Sequence, residues 1–142
     1  THVYLTNQKG LTNLIWVWNV QDFGTLHDDV NAYNPGSQYW DVASLDNYNS
    51  DGTGYAQWKH DVMVEVAGGK PVAIGECGKL PTLNDLSSQP QWTFFMSWSE
   101  ELLKNNSEDE VNAVYSGEQV LTLDEMANWQ NTDTVSLSNN NM

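Results

Sequence analysis

The chain has 142 residues, enough for one ordinary domain with a core of its own. Five Lys and Arg stand against 19 Asp and Glu, a formal charge of −14. So acidic a surface cannot neutralise a phosphate backbone or an anionic bilayer, which excludes nucleic acid and membrane as expected partners but leaves a neutral polysaccharide open.

The elements read in chain order as follows. Thr1–Gly10 is the end of a helix, with Lys9-Gly10 as its stop. Leu14–Trp18 is a buried strand, too short to span a bilayer, and Asn19 to Gly24 is the loop at its lip. His27-Asp28-Asp29 lies in a polar connection; one His without ligand spacing reads as a solvated loop, and no metal is expected. Asn34-Pro35-Gly36-Ser37 is turn chemistry. Trp40 to Tyr48 is the next strand, its alternation placing Trp40, Val42, Ser44, Asp46 and Tyr48 on one face. Asn47 to Gly54 is a loop, and Tyr55 to Val66 a helix with Tyr55, Trp58, Val62 and Val66 inward and His60 on its surface. Gly68-Gly69 closes that helix.

A third strand follows in Lys70-Pro-Val-Ala-Ile-Gly-Glu-Cys-Gly78. Its continuous apolar run is the pattern of a strand buried on both faces of a parallel sheet. It ends in Glu76 between two small breaks, at the carboxyl lip where α/β barrels keep their chemistry. Alternation puts Val72, Ile74 and Glu76 on one face, and Ala73, Gly75 and Cys77 on the other, toward the outer helices. Thr82 caps a short helical turn. Gln91 to Trp98 is a fourth strand with Trp92, Phe94, Met96 and Trp98 on one face. Glu100 to Lys104 and Ser107 to Tyr115 are helical pieces, the second capped by Ser107, and Leu123 to Trp129 is a last helix. Asn105-Asn106-Ser107 forms a glycosylation sequon, a frequent accident. Residues 1–130 form one structured unit without repeat or linker, and 131–142 form a polar tail. The absence of an opening Met and of a charged, apolar leader leads to the expectation of a fragment or processed piece.

Strands alternating with helices predict a parallel sheet with right-handed crossovers, either a small open sheet or half of an eight-stranded barrel. Asp46, Tyr48, Glu76 and Trp98 then fall on neighbouring lips. Aromatic faces pack on the apolar side of a pyranose, and carboxylates break glycosidic bonds in pairs. From the residues alone the pair is Asp46 and Glu76. Trp16 and Trp92, deeper in their strands, read as core. Cys77 has no orienting His and reads as a buried structural thiol rather than a nucleophile.

Leu14-Ile-Trp-Val-Trp-Asn19, Tyr33-Asn-Pro-Gly36, Tyr39-Trp-Asp-Val42, Leu45-Asp-Asn-Tyr48, Lys70–Gly78 and Phe94-Phe-Met-Ser-Trp98, in this order, resemble glycoside hydrolase family 26. The family consists mostly of endo-β-1,4-mannanases with a (β/α)8 barrel, and the similarity runs from about Thr1 to Met126, matching strands five to eight. The resemblance implies a C-terminal half of a TIM barrel, a partial catalytic domain. It implies retaining hydrolysis of internal β-1,4-mannosidic bonds in mannan, galactomannan or glucomannan, without a cofactor. It makes Glu76 the nucleophile, gives Asp46 and Tyr48 the shaping of the subsite around the scissile bond, and makes Trp98 the sugar platform. Asp46 thereby moves from acid to support, because the family's acid/base is a Glu on strand four, before Thr1. Secretion, dependence on a missing N-terminal half and inactivity of the chain alone are further implications. A β-glucanase of the same family, or a non-catalytic carbohydrate-binding protein using the same aromatic cleft, are the competing expectations.

Overall fold

A computed structural model of the chain describes residues 1–126. Four strands form one sheet: β1 (Val17–Gln21), β2 (Val42–Asn47), β3 (Val72–Cys77) and β4 (Trp92–Ser97). Their order in space is their order in the chain, and every neighbouring pair is parallel. Parallel neighbours need crossovers, and helices supply them. α1 (Leu26–Asp29) follows β1, α2 (Gln57–Ala67) follows β2, and α3 (Leu83–Ser88) follows β3. α4 (Ser99–Asn105) and α5 (Glu108–Tyr115) follow β4.

The helix boundaries follow local chemistry. Gly68, at φ +58°, takes the left-handed residue that ends α2. Thr82 and Asp85 form a reciprocal capping box at α3, as do Ser107 and Glu110 at α5. The opening Thr1–Gly10 segment is helical, with a π turn over Tyr4–Gln8 and Gly10 at φ +66°. The expected last helix differs: Leu123–Met126 is a turn, and the rest of that segment and the polar tail lie outside the described residues.

One side of the sheet carries the core. Trp18, Val20, Ala43, Leu45 and Val72 pack against Leu26, Val62, Met63 and Ala67. Ile74 and Cys77 join Leu80, Val114 and Val120 in a second cluster. Trp92 and Phe95 pack there too, and Trp16 packs against the first cluster, so the core reading of Trp16 and Trp92 matches. The opposite side carries Asn19, Ser44, Asp46, Phe94 and Met96.

Several sequence expectations shift against this frame. β1 begins at Val17, not Leu14, and runs on through Asn19 to Gln21. It is an edge strand buried on alternate residues only, so Ile15 is 77% exposed. In β2 the expected face holds for Val42, Ser44 and Asp46. In β3 it does not. Ile74 faces the helices, and Glu76 reaches the other side through a bulge: Leu45 pairs with Ile74, but the next residue, Asp46, pairs with Glu76. β4 holds another irregularity, with Val72 opposite Trp92 and Ile74 opposite Phe95, which separates Trp92 from Phe94, Met96 and Trp98. On α2 the inward residues are Lys59, His60, Val62, Met63 and Ala67. His60 is therefore not on the surface; it packs edge-on against Trp92 with ring centroids 5.2 Å apart.

Candidate active site

The site is assembled on the carboxyl ends of β1, β2 and β3, on the side of the sheet away from the helices. Successive parallel strands place Gln21, Asp46 and Glu76 side by side at this end. Glu76 is half-buried, and its Oε2 accepts a 2.9 Å hydrogen bond from the Tyr48 hydroxyl. The phenol of Tyr48 is pushed up to about 12, first by desolvation and then by the Glu76 carboxylate it serves, with the Trp98 side chain opposing. Tyr48 thus remains a donor at any ordinary pH. Trp98, 47% exposed, sits at the start of α4, near enough to act on the Tyr48 phenol.

Asp46 is held differently. Asn19 Nδ2 donates to its Oδ2 at 2.6 Å, while the Asn19 carbonyl oxygen accepts from the Ser44 hydroxyl. Its other oxygen, Oδ1, is buried without a hydrogen-bond partner among the described residues. Burial, opposed by the Asn19 hydrogen bond and aided by the charges of Glu76 and Asp22, lifts the carboxyl to about 6. Gly75 makes this arrangement possible. A Cβ there would run into the Asn19 amide oxygen and lie 2.8 Å from Ser44 Oγ and 3.1 Å from Asp46 Oδ1. The glycine is needed for space, and with the bulge it turns Glu76 toward Asp46 and Tyr48.

Behind the site is a buried ionic network that sequence reading did not identify. Asp22 and Lys59 are respectively 0% and 1% exposed. Lys59 Nζ lies 3.0 Å from Asp22 Oδ2 and 2.9 Å from Asp51 Oδ1. Asp51 also accepts from the Thr53 backbone and hydroxyl; Lys59 and these bonds outweigh its desolvation and hold its carboxyl down at about 2. The signal in sequence was a Lys one turn before Met63, on the helix face that Val62, Met63 and Ala67 make apolar.

The four sequence-predicted residues therefore divide. Glu76 and Tyr48 are in direct contact. The Glu76 charge acts on Asp46, and Asp46 and Trp98 both act on the Tyr48 phenol. Asn19, Ser44 and Gly75 complete the arrangement; extending the period-2 reading of β1 by one residue pair would have placed Asn19 beside Ser44. Cys77 is fully buried and its Sγ contacts the Met96 carbonyl at 3.3 Å, in keeping with a structural thiol. His27 is exposed and, among the described residues, pairs with Asp28 alone. Among the described residues there is no cluster of three metal-ligating side chains.

Fold and site together define a class: parallel α/β proteins whose chemical groups gather at the carboxyl ends of the strands. Within it, residues 1–125 match the model of glycosyl hydrolase family 26, and the chain belongs to that family. A mannan endo-1,4-β-mannosidase of Thermothelomyces thermophilus is 32% identical over 133 residues, covering 90% of this chain and 26% of its own length. One of Bacillus subtilis is 32% identical, covering 70% of this chain and 28% of itself. The chain thus spans about a quarter of the curated relatives it matches. Among solved structures, GH26A of a Muricauda species superposes with a TM-score of 0.79 at 38% identity, over 87% of this chain and 41% of that one. A β-(1,4)-mannanase of Podospora anserina gives 0.73 at 30% identity, over 91% and 28%.

Proposed function

We propose that this chain supplies the nucleophile-bearing half of a (β/α)8 endo-β-1,4-mannanase, and that Glu76 is the nucleophile. The observation that carries the reading is the Glu76 carboxylate on a parallel strand end, bulged toward the open side and held by the Tyr48 hydroxyl at 2.9 Å. Family membership and mannanase relatives support the substrate, an uncharged mannan, galactomannan or glucomannan. One related β-mannanase, from a termite symbiont, was solved with a gluco-manno-oligosaccharide.

In the proposed reaction a Glu76 oxygen attacks the anomeric carbon of a mannosyl unit. The C–O bond to the leaving sugar breaks, and that oxygen takes a proton from a general acid. A water then cleaves the glycosyl ester with its proton going to the same group, now a base, so configuration is retained. Such a mechanism places the two carboxyl groups about 5–5.5 Å apart on either side of the bond. Asp46 does not fit the second role despite its raised pKa. One oxygen is engaged by Asn19 and the other is buried, which ill suits a group that must hand a proton to a leaving sugar. The acid/base therefore belongs to the complementary half of the barrel, and the described sheet, with β1 and β4 as unpaired edges, is where that half would join. Tyr48 keeps Glu76 oriented, Asp46 supports the subsite beside it, and Trp98 offers the ring on which the sugar lies. The enzyme acts outside the cell, where such polymers occur.

Glu76→Gln in the enzyme that carries this chain tests the assignment. Turnover of mannan should fall on the order of 10⁴-fold or more, as expected when a covalent nucleophile is lost. Retention of most of the activity would remove Glu76 from the role. Full activity of the isolated 142 residues would overturn the shared-barrel reading.

A further inference from the structure

The loop between β2 and α2 begins with Tyr48, the residue that holds Glu76. Left alone it would not keep one conformation. Asn49, Gly52 and Gly54 have φ of +58°, +77° and +58°, and Tyr48, Asn49 and Ser50 are exposed. Asn49 is the costly one, since a side chain in the left-handed region is disfavoured. Some polar bonds help at its far end: Asn47 Nδ2, at the end of β2, donates to the Gly54 carbonyl at 3.2 Å, Asn49 Oδ1 accepts from the Gly54 amide at 2.5 Å, and Tyr55 is pinned to the Lys79 carbonyl and to Gln89 Nε2 at 2.6 Å each. None of these fixes Ser50 and Asp51, the residues next to the Tyr48 end, to the rest of the molecule.

The ionic network does. Asp22, just past the end of β1, accepts from the Ser50 amide at 3.2 Å and the Ser50 hydroxyl at 2.8 Å. Asp22 is itself fixed to β2 by donating its amide to the Asp46 carbonyl at 3.0 Å. Lys59, rising from α2, closes the circuit by binding Asp22 and Asp51, with Asn47 Oδ1 at 3.5 Å. One buried ammonium thus joins the β1 lip, the end of β2, the loop and the helix behind it. It stands between two carboxylates, one fully buried, that without it would repel each other in a dry interior.

We infer that Lys59 is a positioning residue for the reaction, acting through Asp22, Ser50 and Asp51 to hold Tyr48 against Glu76. This rests on the proposed role of Glu76, but its effect on the loop does not. Among the described residues neither Lys59 nor Asp22 has a hydrogen bond or ion pair to Glu76. Asp22 also reaches Asp46, through its amide and its charge, so the test has to separate that route from the loop.

The experiment uses the enzyme that carries this chain. Lys59→Met leaves buried charge unpaired and risks misfolding, so Lys59→Met is compared with Lys59→Met/Asp22→Asn, which removes the buried pair together, and with Lys59→Arg, which keeps the charge. In the double variant kcat should fall about 10- to 100-fold with KM changed less than threefold, and Lys59→Arg should recover part of that loss. In a Tyr48→Phe background the same double substitution should cost less than threefold, because the hydroxyl it positions is already gone. Hydrogen exchange at the amides of Ser50, Thr53 and Gly54 should accelerate at least tenfold while the strand amides of β2 and β3 stay protected. Equal losses of kcat with and without the Tyr48 hydroxyl, or unchanged exchange in the loop, would overturn the inference. The exchange readout needs no turnover, so faster loop exchange beside an active Glu76→Gln enzyme would sink the nucleophile assignment and leave the tether standing.

Discussion

The two sides of this sheet are built by different rules. On the helix side, Trp18, Val20, Leu45, Val72 and Ile74 are apolar, buried and interchangeable in kind. On the open side, Asn19, Ser44, Asp46 and Glu76 are polar and Gly75 leaves them room, and each has a partner or a neighbour that only its own chemistry suits. The helix side has a large stability gain spread over many contacts. The open side concentrates like charge and a carboxylate oxygen without a partner among the described residues in one place, which lowers stability, as a proposed reactive site would. If this division holds, substitutions on the first side should change stability and leave the chemistry, and those on the second should do the reverse.

The strongest test is on the helix side. Ile74 is fully buried and lies two residues from Glu76 along the same strand. Ile74→Ala should lower unfolding free energy by about 2–5 kcal/mol, the range for deleting a buried aliphatic side chain. Below the shifted melting temperature kcat should stay within about threefold of the parent, about 0.6 kcal/mol by the usual conversion. Denaturant melts paired with initial rates check both parts. A large loss of kcat in a still-folded variant would show that the two sides are coupled through the bulge.

Tyr48→Phe is the counterpart on the open side. It deletes one hydroxyl from an exposed ring, so the melting temperature should hardly move. A hydrogen bond to a charged acceptor contributes about 1.5–3 kcal/mol, so kcat/KM should fall roughly 10- to 100-fold. Steady-state kinetics on a mannan oligosaccharide measures it.

Gly75→Ala lies between the two. The added methyl meets the Asn19–Ser44–Asp46 cluster rather than the apolar core. Overpacking of this kind costs about 1–3 kcal/mol. It should appear as lost activity together with a stability loss smaller than that of Ile74→Ala. If Asn19 is the group that moves, Gly75→Ala/Asn19→Ala should recover stability more than rate.

The same division explains what could be read in advance. Periodicity and composition carried the parallel sheet, its strand order, and Glu76, Asp46, Tyr48 and Trp98 as neighbours at the strand ends, because burial on the helix side repeats every second residue. They failed wherever spacing is broken by an inserted residue. The bulge after Ile74 reverses the face that strict alternation gives Glu76, and the irregularity in β4 does the same between Trp92 and Phe94. The four residues lie at the strand ends where they were expected, but by another parity than the one that put them there. Lys59 and Asp22 escaped because pattern reading assigns charge to the surface, and only the pairing of Lys59 with Asp22 and Asp51 lets it be buried. His60 escaped for a similar reason: it fills space beside Trp92 that its polarity would not have assigned to it.

The smallest expected effect is a pH slope. The folded pKa of Asp46 is lifted to about 6 from 3.8, chiefly by burial. The folded state therefore holds this proton more tightly than the unfolded chain does. The stability it contributes is complete below about pH 4 and is lost as pH rises through about 6. Asp51 runs the opposite way: its carboxyl is held at about 2, so its contribution is present above about pH 4 and lost only as pH falls toward 2. Between pH 4 and 6 the Asp51 term is nearly flat, and the Asp46 term can be seen alone against the remaining carboxylates. Asp46→Asn removes it. The variant's stability relative to the parent should rise from pH 4 to pH 6 and level off above, in denaturant melts at constant ionic strength. Because Asp46 is only half-buried, solvent screening should keep the change small. A difference that stays constant across that range would mean that the open side does not store charge strain at Asp46, and the contrast between the two faces would then rest on Glu76 and Tyr48 alone.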